Sequence, residues 1–357
     1  MYLAWKELKH NKGRFALIII MLFLVSYLIF FLTGLSYGLS KKFTSVLDSW
    51  PTNQIVLNKF ANNNLSASTI TQQQLDNYKL TNNHAPMGEL FGVGQKCNKN
   101  KKKVNVAIFG INFNSFIKPK LINGNLPKNN NQIVISDELK KINNWKLNEN
   151  IKINGKKQKY KIVGITTNLS YQTYPVIYTT LPTFNLLKFS NEQMNSFSAI
   201  VTKNKIKNNI NDNLSTLSMK KFINNIPGYK AQISTFALMI GSLFIIVLFV
   251  IAIFMYIMTL QKKSMYGVMR AEGISSATII NSVISQAIIL GIIGVGLGFI
   301  LAIITSFILP VSMPYQNNVG LMILFAIILI IMATIGAIFS ALQIINIDPA
   351  DAMKGNE

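Results

Sequence analysis

The sequence predicts an α-helical membrane protein with four transmembrane helices and an α+β extracytoplasmic domain inserted between helices 1 and 2. Three observations carry this reading. Half of the 357 residues are hydrophobic and only 13% are charged, too apolar for an ordinary water-soluble globule. Charged residues vanish from three stretches, 15–40, 231–261 and 273–347. Between the first two lie 190 residues rich in Lys and Asn, where short β-type runs alternate with turn residues.

A helix needs about 20 apolar residues to cross roughly 30 Å of hydrocarbon. The first two stretches therefore hold one span each, at 15–40 and 231–260, and the third holds two, at 277–309 and 320–343. Pro310 and Pro314, followed by Gln316, Asn317 and Asn318, end one helix and turn the chain in an outer loop at 310–319. Ahead of the first span, residues 1–14 place Met1, Ala4, Trp5 and Leu8 on one helical stripe with lysines elsewhere, the pattern of a cytoplasmic amphipathic helix lying on the membrane lipid. A cleaved secretory signal fits less well, because the apolar run exceeds a signal core of about 7 to 15 residues and no Ala-x-Ala site follows. In span three, Gly294 and Gly298 form a small-x-x-x-small pair, expected to pack against span four or against a second copy of the chain.

Cations near the spans set the orientation. Lys6, Lys9, Lys12 and Arg14 precede span one, Lys262, Lys263 and Arg270 fill the 261–276 segment, and the 310–319 loop has none. The positive-inside rule places both termini, including the 344–357 tail, and the 261–276 segment in the cytoplasm, with 41–230 outside. That outer segment holds 27 Lys against 8 Asp plus Glu, a net +19, which does not overturn the orientation because long domains translocate largely regardless of charge. The charge either draws the domain to anionic wall polymers or headgroups, or reflects a Lys and Asn bias of the whole chain, whose only Arg residues are Arg14 and Arg270. Nucleic acid is not an expected partner for charge outside the membrane. Cys97 is the only cysteine, so the outer domain must rest on its own core rather than on an intrachain disulfide.

Within the outer domain, strand-like runs fall at 54–57, 104–108, 132–135, 151–153, 159–165, 176–178 and 199–202, spaced for a mixed sheet. Asn154-Gly155 separates two alternating segments, a hairpin signature. Residues 136–142 read as a short helix capped by Ser136, and 190–195 or 204–217 as further helices. Polar runs at 62–64 and 99–103 read as exposed loops, and the whole 80–103 region as a loop rather than a lid.

Chemistry on this chain is not expected. It has no Gly-x-x-x-x-Gly-Lys-Ser/Thr phosphate loop, and Gly92-Val-Gly94-Gln-Lys96 lacks both the spacing and the hydroxyl. His10 and His84 fall on opposite sides of the predicted membrane and cannot share a metal. Cys97 stands among lysines without a base beside it. The sequence thus offers no catalytic residue, no metal site and no intrinsic cofactor.

The segment Lys262-Lys263-Ser-Met-Tyr266-Gly267-Val-Met-Arg270-Ala271-Glu272-Gly273-Ile-Ser275 resembles the cytoplasmic coupling segment of MacB/FtsX-type ABC transporter permeases, through Gly267, Arg270, Ala271, Gly273 and Ser275. It departs from that pattern at Met265, where Glu is usual, and at Glu272, where an apolar residue is usual. The tail Asp348-Pro349-Ala350-Asp351-Ala352-Met353-Lys354 is similar to the family's closing motif, and Asn123-Gly124-Asn-Leu-Pro127 and Tyr160-Lys-Ile-Val-Gly164 to its outer core. The resemblance implies a homodimer in the cell membrane, coupled through Tyr266, Gly267, Arg270 and Gly273 to two copies of a separate ATPase that binds ATP.

Leu3-Ala-Trp-Lys-Glu7, Leu32-Thr-Gly34-Leu-Ser-Tyr37-Gly38 and Tyr266–Ile274 further resemble a haem-efflux branch of this family, which implies haem as substrate and a Gram-positive source. Haem needs aromatic faces, phenolic or soft ligands and cations for its propionates. Tyr37, Phe43 and Trp50 follow span one, Tyr229 precedes span two, and Lys41, Lys42 and Lys230 lie alongside; Tyr171 and Tyr174 occupy a loop able to fold back onto the membrane. Trp50, Tyr171 and Tyr229 are therefore the expected substrate-binding residues, against the plainer reading of an interfacial aromatic belt. The same family resemblance leaves open a mechanotransmitter acting on a wall enzyme or sensor, and an exporter of peptides or lipoproteins.

Overall fold

The computed structural model describes residues 12–77, 80–97, 102–191, 194–205 and 213–345. The amphipathic segment up to residue 11 and the Asp348 tail motif lie outside the described residues. The chain divides into two compact units, one of helices and one comprising Leu39–Ile233 with Pro310–Pro314.

Helix α1 (Lys12–Asp48) runs 37 residues, about 55 Å at 1.5 Å per residue, and continues eight residues past the predicted end of span one. Its last turns bury Val46 and Leu47 in the core of the second unit, and on their polar side Lys41 and Thr44 both bind the Asp48 carboxylate, at 2.9 and 3.0 Å.

The second unit follows as β1 (Gln54–Asn58), β2 (Ile70–Thr71), α2 (Gln72–Asn77), β3 (His84–Lys96), β4 (Lys103–Ile111), β5 (Leu121–Gly124), β6 (Gln132–Ser136), α3 (Asp137–Asn143), β7 (Asn150–Ile153), β8 (Tyr160–Thr166), β9 (Ser170–Tyr171), β10 (Tyr174–Thr180), α4 (Leu181–Phe189), β11 (Ser196–Phe197), β12 (Ala199–Thr202), β13 (Leu214–Ser218) and α5 (Met219–Asn224). The main sheet has the order β13-β1-β12-β3-β4-β10-β6-β8-β5 and is mixed, with β4–β10 and β6–β8 parallel. Each of the seven strand-like runs falls on one of its strands. β4 is covered on both faces: Ala107 and Phe109 enter a core with Met87 and Tyr178, whereas Val106 and Ile108 enter a second core with Ile135 and Ile177.

The region read as a loop at 80–103 contains β3, the longest strand, paired residue for residue with β4 from Met87↔Ile111 to Gln95↔Lys103. Its glycines hid it, and packing explains them. A Cβ at Gly88 would lie 2.3 Å from the ring of Phe184, which sits on the sheet from α4. The helix expected at 190–195 lies earlier, as α4, begun by a Thr180 cap with Pro182 in its first turn. The described end of the segment expected as a helix at 204–217 is instead β13. Asn154 and Gly155 do form a left-handed turn (φ 51° and 68°), but not a two-residue hairpin. The chain runs on to Tyr160 before pairing Ile151↔Tyr160, since the end of β7 pairs with β3 instead. Helix α3 is capped by Ser136 as expected.

The first unit is completed by α6 (Tyr229–Gln261), α7 (Lys263–Ala271), α8 (Ser276–Ile308) and α9 (Val319–Ile345). Among the described residues, four helices are long and apolar enough to cross a membrane. They bury one core while Leu17, Ile20, Leu24, Phe249, Ile253, Ile300 and Ile327 point outward, so the bundle is apolar on both its inner and outer surfaces. Gly294 and Gly298 face neither span four nor a second copy: they meet α1, where a Cβ would fall 2.6 Å from Leu22 Cβ and 2.2 Å from Ser26 Oγ. Span four is met one turn earlier, where Gly291 faces Ile330 and Ala333. Buried hydroxyls pair within the bundle, as between Thr259 and Ser340 at 2.9 Å.

Candidate functional site

The last turns of α1 are held by residues far along the chain. Ser170 N donates to Ser45 Oγ at 2.7 Å, and that hydroxyl donates back to Ser170 O at 3.1 Å. The N–H groups of Gln172 and Thr173 donate to the carbonyls of Phe43 and Lys42. Gln172 (φ 47°) and Thr173 (φ 71°) form the two-residue turn between β9 and β10. A β-branched residue there is strained and persists because the bonds to α1 fix it. Lys42 pairs with the buried Glu138 of α3, and Ser170 Oγ donates to the same carboxylate.

The aromatic residues expected to bind substrate surround this end of α1. Tyr229 packs on Phe43 (ring centroids 5.8 Å) and its hydroxyl lies 2.9 Å from Ser40 Oγ. Trp50 and Tyr171 meet instead through Phe109, each edge-on to it at 5.8 and 5.5 Å. Both are core residues, 5% and 1% exposed. Tyr171 also stacks on Phe91 at 6.1 Å, and Phe91 contacts Tyr174. Those two, 37% and 36% exposed, bring the aromatic cluster to the surface. The loop expected to carry Tyr171 and Tyr174 is thus a hairpin tied to α1. Burial, with the Glu89 charge adding, pushes the Tyr171 hydroxyl well above its ordinary range, so it is a neutral phenol in this packing.

Sequence reasoning passed over Glu89. It is fully buried on β3, accepts a hydrogen bond from Ser66 Oγ at 2.7 Å, and lies near Lys188, whose ammonium donates to the carbonyls of Ser66 and Glu89. Burial raises its carboxyl to about 7 despite the opposing pull of Ser66 and Lys188. A lone acid in a lysine-rich stretch carries no sequence signal; only the sheet brings these groups together.

In the helical unit, α7 is a separate nine-residue helix between α6 and α8. Tyr266 and Gly267 are buried, and Arg270 is half-buried. Gly273 (φ 89°) closes the helix with a Schellman turn, in which its N–H donates to Arg270 O and that of Ile274 to Met269 O. The four expected coupling residues thus fix the shape and seating of α7. The face it leaves exposed carries Met265 and Val268, 41% and 44% exposed, one turn apart. In the sequence Met265 stands out only as a departure from the family pattern.

The profile of the FtsX-like permease C-terminal family matches residues 236–349. A Staphylococcus epidermidis protein provisionally named hemin transport system permease protein HrtB is 32% identical over 363 residues, covering all of both chains. A Staphylococcus haemolyticus protein of the same name is 29% identical over 365 residues, again covering all of both. Among solved structures, the periplasmic region of MacB from Actinobacillus actinomycetemcomitans is 15% identical with a TM-score of 0.36, covering 51% of this chain and 97% of that one. The extracellular domain of the transporter YknZ from Gram-positive bacteria is 14% identical with a TM-score of 0.30, covering 44% and 84%. Identity at this level along its whole length means that the chain belongs to the HrtB-type, FtsX-like permeases of ABC transport systems.

Proposed function

We propose that this permease exports haem from the membrane of a Gram-positive bacterium, as a homodimer driven by two copies of a separate ATPase. The observation that carries this is the unbroken likeness, end to end, to proteins named as hemin transport permeases. In this reading both termini and α7 are cytoplasmic, Leu39–Ile233 is outside, and ATP is bound by the partner subunit. The exposed Met265 and Val268 of α7 supply an apolar contact for that ATPase, while Tyr266, Gly267, Arg270 and Gly273 hold α7 in place. Haem is received beside the outer end of α1, where Tyr229 packs on Phe43 and where Tyr171 and Trp50 pack on Phe109.

The test is haem tolerance. A strain lacking the gene should become haem-sensitive and regain tolerance with the parental gene; unchanged growth on haem would remove the substrate assignment and favour a mechanotransmitter. Because Trp50 and Tyr171 are core residues, alanine there would unfold the domain, so the site is tested with Trp50→Phe, Tyr171→Phe and Tyr229→Phe combined. These changes keep an aromatic ring at each position, leave a small cavity only at Trp50 and remove the polar edges, and haem copurification should fall while membrane abundance holds.

A further inference from the structure

We propose that the crevice at the carboxyl ends of the parallel strands β4 and β10 binds a sugar unit that carries a carboxylate or phosphate group. The two strands run in register from Val176↔Ala107 to Thr180↔Ile111, so their ends open side by side. Open sheets receive ligands in such places because the chains leaving the strand ends diverge. The crevice has a volume of about 600 Å³, within the range of small-ligand sites.

Its lining defines the ligand. The lining residues with polar side chains are Asn112, Asn114, Asn130, Thr180 and Lys128, and among the described residues no acidic one contributes. Two of the carboxamide oxygens are already used: Asn112 Oδ1 accepts from Asn114 N at 2.9 Å, and Asn130 Oδ1 from Thr180 Oγ1 at 2.8 Å. What those groups offer a ligand is their donor half, alongside the three donors of Lys128. A wall of donors with one cation suits an acceptor-rich anion. Phe113, Pro127 and Pro182 add apolar surface for the C–H faces of a ring.

The walls are also fixed in advance. Thr183 Oγ1 donates to Asn130 O at 2.5 Å, fastening the 127–130 loop to the start of α4, and Ser115 Oγ donates to Asn112 O at 2.6 Å. Little ordering is therefore left for binding to offset. The net +19 of residues 41–230 draws anions toward the domain. A bare phosphate would leave the apolar surface of Phe113, Pro127 and Pro182 uncovered, and a neutral sugar would leave Lys128 without an anionic partner.

Intact permease purified in detergent would be titrated calorimetrically with glucuronic acid, glucose 6-phosphate, glucose and inorganic phosphate. The two charged sugars should bind with dissociation constants below about 1 mM, and glucose and phosphate at least about tenfold more weakly. Whichever charged sugar binds tighter identifies the anionic group. Lys128 and Asn112 are exposed, so Lys128→Gln and Asn112→Ala leave the fold intact and should each weaken binding about tenfold. Phosphate binding as tightly as the charged sugars would reduce the crevice to an ion site and overturn the proposal. So would binding that both variants retain in full, or no binding of either charged sugar.

Discussion

Glu89 is where the chemistry of a single residue reaches furthest into the fold. Its carboxyl titrates at about 7 in the folded domain because burial penalises the charged form, against 4.5 for an unburied glutamate. The folded value is the higher one, so the unfolded chain gives up its proton first. The contribution of Glu89 to stability is full below pH 4.5 and is lost as pH rises through about 7, a swing on the order of 3 kcal/mol. Lys188, whose own amino group is pushed down by burial and pulled back up by Glu89, keeps the Ser66 and Glu89 carbonyls as acceptors when the carboxylate is absent. Glu89→Gln should therefore stabilise the protein by roughly 1–2 kcal/mol at pH 8 and leave it unchanged at pH 4.5. Thermal unfolding followed by tryptophan emission at the two pH values measures this; an equal shift at both would mean that Glu89 does not titrate in this range.

At the scale of elements, α4 and β3 explain each other. Gly88 and Gly110 are the flat ground on which Phe184 rests, with Cβ positions 2.3 Å from its side chain. Gly88→Ala should cost about 1–3 kcal/mol by overpacking, and Phe184→Leu in the same chain should recover part of that loss, as chemical denaturation would register. The sequence displayed half of this arrangement. The Thr180 cap with Pro182 behind it is a helix-start signal that the expectation of a helix at 190–195 missed, and β3 read as loop because the side chains that press on Gly88, Gly92 and Gly94, those of Phe184, Asn154 and Trp145, lie far along the chain. The strands rich in Val and Ile were legible for the opposite reason, since their pattern depends only on burial of their own side chains. Helix α7 divides in the same way: Gly273, with φ 89°, entered the sequence reading only as a match to the family's coupling segment, and the exposure of Met265 and Val268 follows only from the seating of Tyr266. Met265→Lys with Val268→Lys should lower ATPase copurification at least about tenfold without reducing membrane abundance, because neither residue supports the bundle. Retained copurification would place the ATPase contact elsewhere.

For the whole molecule, the membrane-spanning plan follows from composition alone, because in hydrocarbon only a helix satisfies its own backbone and such helices must be long and uncharged. Which side each segment faces is a further matter, resting on Lys262, Lys263 and Arg270 between α6 and α8 against a 310–319 loop without cations. The protein carries its own probe for this. Cys97 is the only cysteine and is exposed on the β-sheet unit, so an impermeant thiol reagent applied to intact cells should label the parental protein and leave Cys97→Ser unlabelled. In the Cys97→Ser background, Ser312→Cys lies in the 310–319 loop and should label on intact cells, whereas Lys263→Cys at the start of α7 should label only after lysis; both positions are exposed. A charge argument of this kind can be wrong in one direction only, since four spans fix the two ends of the protein to the same side. Labelling of Lys263→Cys on intact cells, with Cys97 of the parental protein unlabelled, would invert the entire arrangement and place the lysine-rich domain in the cytoplasm. That outcome would remove the crevice between β4 and β10 from contact with extracellular sugars and the exposed face of α7 from contact with a cytoplasmic ATPase, so this one experiment bears on every functional assignment made above.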